Sequence, residues 1–75
     1  MVDFEIKEVY TEEQGEIIFG KLPKLFTLAL MEIYANNMGK NATSAAEVYN
    51  FVASDPKGQG CKEEMDKMLA GKAVQ

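Results

Sequence analysis

A fifteen-residue segment between a proline and a glycine constrains this chain more than any other part of its sequence. Pro23 stands where a first helical residue tolerates proline, and Gly39 stands where helices commonly end. The residues between them, KLFTLALMEIYANNM, include many good helix formers and neither proline nor glycine. The sequence therefore predicts a helix over about 23–38.

This predicted helix is apolar on more than one face. A broad face holds Leu25, Phe26, Ala29, Leu30, Ile33 and Tyr34, and the other side holds Leu28, Met31, Ala35 and Met38. Such a helix is either the central element of the domain or one half of a subunit contact. A chain of 75 residues has a small core, so we expect Leu28, Met31, Ala35 and Met38 to contact another copy in a homo-oligomer.

The N-terminal part of the chain has two interpretations. Polar and apolar residues alternate over 2–10, as in a strand, and Ile17, Ile18 and Phe19 make 16–21 a suitable partner strand. The alternative is a helix over 12–21, because Thr11 and Gln14 match a capping box.

Gly15 and Gly20 weaken that helix by about 1 kcal/mol each relative to alanine, so the sequence favours the hairpin. The expected fold class is α+β and mainly α, with a β-hairpin over about 2–10 and 16–21 followed by three helices. The alternative is an all-α fold of four helices in which 12–21 is helical.

Two further helices complete the predicted domain, which spans 1–75 as a single unit. Ser44 and Glu47 form a capping box for a helix over 45–54, which Pro56 ends. The last helix covers 61–70, and residues 72–75 are expected to fray. It carries a narrow apolar stripe formed by Cys61, Met65, Met68 and Leu69. Methionine adapts to irregular partner surfaces, so Met65 and Met68 join the predicted contact residues; the alternative is that they fill the core.

Charge and composition exclude several classes of partner. Eight lysines stand singly among twelve acidic residues, for a net charge of −4, so we expect no binding to nucleic acid or to an anionic membrane. The longest apolar run, Leu25–Met31, is far shorter than the roughly 20 residues of a membrane span. One cysteine and the absence of a basic, apolar leader suit a cytoplasmic protein.

Two motifs come close to known ligand-binding loops. Gly15, Gly20 and Lys21 match a phosphate-binding loop, but Leu22 stands where that loop needs serine or threonine to hold magnesium. Asp55–Asp66 has the length of a calcium loop with Gly60 at its sixth position, but a lysine stands third, where a ligand belongs. We therefore expect neither a cofactor nor a metal ion.

The chain contains no histidine, which removes the commonest general base. Its adjacent carboxylates are those of solvated helix faces, and we expect no enzymatic activity. Cys61 is the candidate reactive thiol, because it stands in the first turn of a helix beside Lys62, where the helix dipole lowers a thiol pKa. The alternative is a small buried apolar residue.

These patterns together favour a small acidic, non-enzymatic protein–protein interaction or regulatory module that forms homo-oligomers. Two alternatives stay open. One is an acidic mimic of nucleic acid that inhibits a nucleic-acid-binding protein. The other is a redox element that uses the thiol of Cys61.

Overall fold

The protein is all-α over the part of the chain that its computed structural model describes, residues 4–71. The helices are α1 (Glu12–Lys21), α2 (Lys24–Met38), α3 (Ala45–Ser54) and α4 (Gln59–Leu69), with a 3₁₀ turn at Pro56–Gly58. No strand occurs between residues 4 and 71, so the predicted hairpin is wrong and the four-helix alternative is confirmed. The predicted fraying of 72–75 lies outside the described residues.

Helix α1 replaces the predicted hairpin because its capping box forms in full. The backbone amide of Gln14 donates to Thr11 Oγ1 at 3.1 Å, and the backbone amide of Thr11 donates to Gln14 Oε1 at 2.9 Å. Gly15 is buried, and a Cβ atom on it would lie 2.6 Å from the Cβ of Ala46. This glycine therefore permits close packing of α1 on α3, and it does not form a turn.

Helix α3 lies at the centre of the fold. Seven of its ten residues are buried: Ala46, Val48, Tyr49, Asn50, Phe51, Val52 and Ala53. Helices α1, α3 and α4 contact one another, whereas α2 contacts mainly α3. The long helix is thus a peripheral element, and it buries Thr27 and Tyr34.

The irregular segment before α1 is attached to α3 and α4 by hydrogen bonds. The side chain of Asn50 accepts from the Tyr10 amide at 2.7 Å and donates to the Tyr10 carbonyl at 3.1 Å. The Tyr10 hydroxyl donates to Asp66 Oδ1 at 2.8 Å, and the Lys7 amide donates to Ser54 Oγ at 2.8 Å. The polar side chain of Asn50 can therefore be buried at little cost, because its amide is hydrogen-bonded.

Glu47 joins the end of α2 to the start of α3. Its carboxylate accepts from the Thr43 amide at 3.0 Å, from the Thr43 hydroxyl at 2.6 Å and from the Tyr34 hydroxyl, and Lys40 lies 3.7 Å away. These hydrogen bonds, led by that from the Thr43 hydroxyl, lower the pKa of Glu47 to about 2. A depressed carboxyl pKa stabilises the fold above the unfolded-state value of 4.5, and that stability is lost as the pH falls towards 2.

Candidate functional site

The outward side of α2 carries large apolar side chains that the rest of the described chain does not cover. The exposed fractions are 81% for Leu25, 57% for Leu28, 48% for Ile33 and 42% for Phe26. We refer to these four residues as the α2 face. Single exposed apolar residues are ordinary in proteins, but a group on one helix is typical of a contact surface.

Charge is sparse on α2. Lys24 and Glu32 are its charged residues, and the seven positions between them carry none. Depletion of charged residues and enrichment in aromatic and methionine side chains distinguish the centres of protein interfaces from the rest of a protein surface. The exposed side of α2 shares this depletion of charge, and Phe26 is its one exposed aromatic residue.

An apolar cleft adjoins the α2 face, between the start of α2 and helix α4. Its volume is about 470 Å³, and it is lined by Leu22, Pro23, Phe26, Gly60, Cys61, Glu64, Met65 and Met68. A second cavity of about 230 Å³ shares Phe26 and Cys61 with it. The cleft and the α2 face are continuous, because the ring of Phe26 belongs to both.

The six predicted contact residues fall in different environments. Leu28 is exposed. Met31, Ala35, Met38 and Met68 are half-buried. Met31 and Met38 pack against the core, and Met68 lines the cleft. Met65 is fully buried, so it has no surface to offer a partner.

Leu25, Phe26 and Ile33 belong to the broad apolar face of α2, opposite the predicted contact residues Leu28, Met31, Ala35 and Met38. The contact that orients α2 is made by Thr27, which is buried. Its hydroxyl lies 2.9 Å from the Tyr49 hydroxyl in a buried hydrogen bond, and this turns the Thr27 side of α2 towards α3. The exposed side is consequently the one opposite Thr27, with Leu25 at its middle.

Cys61 does not have the environment of an activated thiol. It is half-buried in the wall of the cleft, and burial raises its pKa, with a further increase from the nearby carboxylate of Glu64. This direction is opposite to the one that its place at the start of a helix predicts. A raised pKa lowers the thiolate fraction at neutral pH and with it the reactivity of the sulfur.

The other groups with shifted pKa values take part in tertiary hydrogen bonds. Burial and the bond to Asp66 raise the pKa of Tyr10, and burial and the bond to Glu47 raise that of Tyr34 to about 12. Across residues 4–71, no three His, Cys, Asp or Glu side chains come together as a group that could hold a metal ion. Tyr34 and Glu47 thus connect α2 to α3, and Tyr10 and Asp66 connect the segment before α1 to α4. None of these four residues lines the cleft.

The described helices include none with both the length and the apolar character that crossing a membrane requires. No family model, curated protein or solved structure matches the chain. The α2 face and the adjoining cleft are the largest apolar features on the described surface of α2 and α4.

Proposed function

We propose that this chain is a non-enzymatic protein–protein interaction module that associates with itself through the exposed side of α2. The observation that carries the proposal is the α2 face, whose four large apolar side chains are between 42% and 81% exposed on one helix. The neighbouring cleft extends the same apolar surface towards α4.

The magnitude of the exposed surface suits reversible association. The exposed fractions of the α2 face add up to about two whole side chains. Burying them contributes about 3–6 kcal/mol of favourable free energy to association in each copy. Association itself costs about 4–15 kcal/mol in lost freedom of motion. The two contributions are comparable, and we therefore expect a dimer that forms and dissociates with concentration.

The test is the solution mass of the wild type over a wide range of concentration, beside the variant Leu28→Lys. Leu28 is 57% exposed, so lysine fits the folded chain but places a charge on the contact surface. We expect the wild type to dimerise and Leu28→Lys to stay monomeric with an unchanged circular dichroism spectrum. Met31→Lys is a less selective variant, because Met31 also packs against the core.

Ile17→Lys is the matched control, because Ile17 is 41% exposed on α1 and lies outside the α2 face. It should dimerise like the wild type. A wild type that is monomeric at every concentration, or an Ile17→Lys variant that dissociates as fully as Leu28→Lys, contradicts the proposal. The salt dependence is a second check. Apolar association survives moderate ionic strength, whereas an acidic mimic of nucleic acid binds its target only at low salt.

A further inference from the structure

We propose that two copies of this chain pack their α2 helices antiparallel about a two-fold axis at Leu28, with Lys24 of each copy beside Glu32 of the other. This arrangement rests on the proposed self-association and specifies its geometry. It follows from the order of residues along the exposed side of α2.

The exposed side of α2 includes two parallel rows of side chains. Lys24, Leu28 and Glu32 are spaced four residues apart and form one row, and all three are exposed. The adjacent row is Leu25, Ala29 and Ile33, which are exposed too. Rows of this spacing are the ridges that interdigitate in the commonest class of helix packing in globular proteins.

In a two-fold interface, if residue i of one copy contacts residue j of the other, then residue j of the first copy contacts residue i of the second. Leu28 lies midway between Lys24 and Glu32, so an antiparallel pair centred on Leu28 brings the lysine of each copy beside the glutamate of the other. A parallel pair would instead place lysine against lysine and glutamate against glutamate. The charges therefore favour the antiparallel arrangement.

Neither charged residue takes part in an ion pair with another of the residues that the structure describes. Among residues 4–71 the ion pairs are Lys40–Glu47, Lys62–Asp66 and Lys67–Glu64, and none involves Lys24 or Glu32. Both side chains can therefore reach a second copy without breaking an ion pair among residues 4–71. The row of Leu25, Ala29 and Ile33 supplies the apolar contact beside them, and the small side chain of Ala29 allows the two helices to approach.

The test uses the charge reversals Lys24→Glu and Glu32→Lys. Each single variant turns two attractive contacts of the dimer into two repulsive ones, and exposed ion pairs of this kind are individually weak. We expect each variant to dimerise about tenfold more weakly than the wild type. The double variant Lys24→Glu/Glu32→Lys restores the attraction and should return to within about threefold of the wild type.

Mixing the two single variants gives a sharper measurement. One copy then carries glutamate at both positions and the other carries lysine at both, so the mixed dimer has two attractive contacts. It should form about tenfold more readily than either variant pairs with itself. Attraction between the net charges of the two variants does not explain this result. The net charge of −4 becomes −6 in Lys24→Glu and −2 in Glu32→Lys, so both variants remain negative.

Lys67→Glu and Glu13→Lys are the controls, because they make the same charge changes at exposed sites on α4 and α1. Each should dimerise like the wild type, and their mixture should show no preference. If the wild type dimerises and Leu28→Lys does not, but the α2 reversals behave like these controls, the antiparallel arrangement is wrong and the proposed function stands. If the wild type never dimerises, both proposals fail.

Discussion

Replacing Gly15 by alanine adds one methyl group at the place where α1 packs against α3. The added Cβ would lie 2.6 Å from the Cβ of Ala46, 2.7 Å from its Cα and 2.8 Å from its amide nitrogen. Two of these three atoms belong to the backbone, so a side-chain rotation cannot relieve the contact. The two helices must move apart.

Two opposing effects decide the result. Alanine in place of glycine within a helix stabilises by about 1 kcal/mol, whereas overpacking a core costs about 1–3 kcal/mol. Because the contact at Gly15 involves backbone, we expect the upper end of that cost and a net loss of about 2 kcal/mol. A chain of 75 residues has a total stability of about 4–11 kcal/mol, so the loss is a large share of it.

Gly20 provides the matched control in the same helix. Nothing lies within 4 Å of a Cβ atom at this position, so Gly20→Ala should gain about 1 kcal/mol through helix propensity alone. The assay is urea unfolding followed by circular dichroism at one fixed protein concentration, because association adds to apparent stability. We expect a midpoint about 2 M lower for Gly15→Ala, with a slope of about 1 kcal/mol per M. If both variants are stabilised alike, α1 does not approach α3 as described.

Three other perturbations test separate contacts. The side chain of Glu47 keeps 27% of its surface exposed, so its lowered pKa should contribute about 2 kcal/mol to the free energy of unfolding at pH 7. Glu47→Gln should therefore lose more stability at pH 7 than at pH 3. An equal loss at both pH values would contradict this. Thr27→Val and Tyr49→Phe should each cost about 1–2 kcal/mol in urea unfolding, because each leaves one buried hydroxyl unpaired. The double variant should cost less than their sum, and strict additivity would argue against the hydrogen bond. Cys61 should react with a thiol reagent at neutral pH more slowly than a free cysteine, because its pKa is raised. A faster reaction would support the alternative that Cys61 is a redox element.

Local sequence signals predicted the last three helices well. The predicted ranges 23–38, 45–54 and 61–70 lie within two residues of the observed Lys24–Met38, Ala45–Ser54 and Gln59–Leu69. Caps, prolines and glycines act over a few residues of chain, so their effect can be judged without knowing the fold.

Tertiary packing decides whether 12–21 is a helix and which side of α2 is exposed. Gly15 has a low helix propensity, which favours the hairpin. Its close approach to Ala46 explains why glycine stands within a helix at this position. The exposed side of α2 is set by Thr27, which is buried in a hydrogen bond with Tyr49. In both cases the deciding partner stands more than twenty residues away in the chain, where periodicity and capping rules carry no information.

The peripheral position of α2 has a dynamic consequence. Since α1, α3 and α4 contact one another without it, we expect α2 to detach in a local opening that leaves the other three helices packed. Its backbone amides should then exchange with deuterium through a lower-energy opening than those of α3. A second copy bound to α2 would oppose this opening. Dimerisation should therefore slow hydrogen exchange along Lys24–Met38 and leave the exchange rates of α3 almost unchanged.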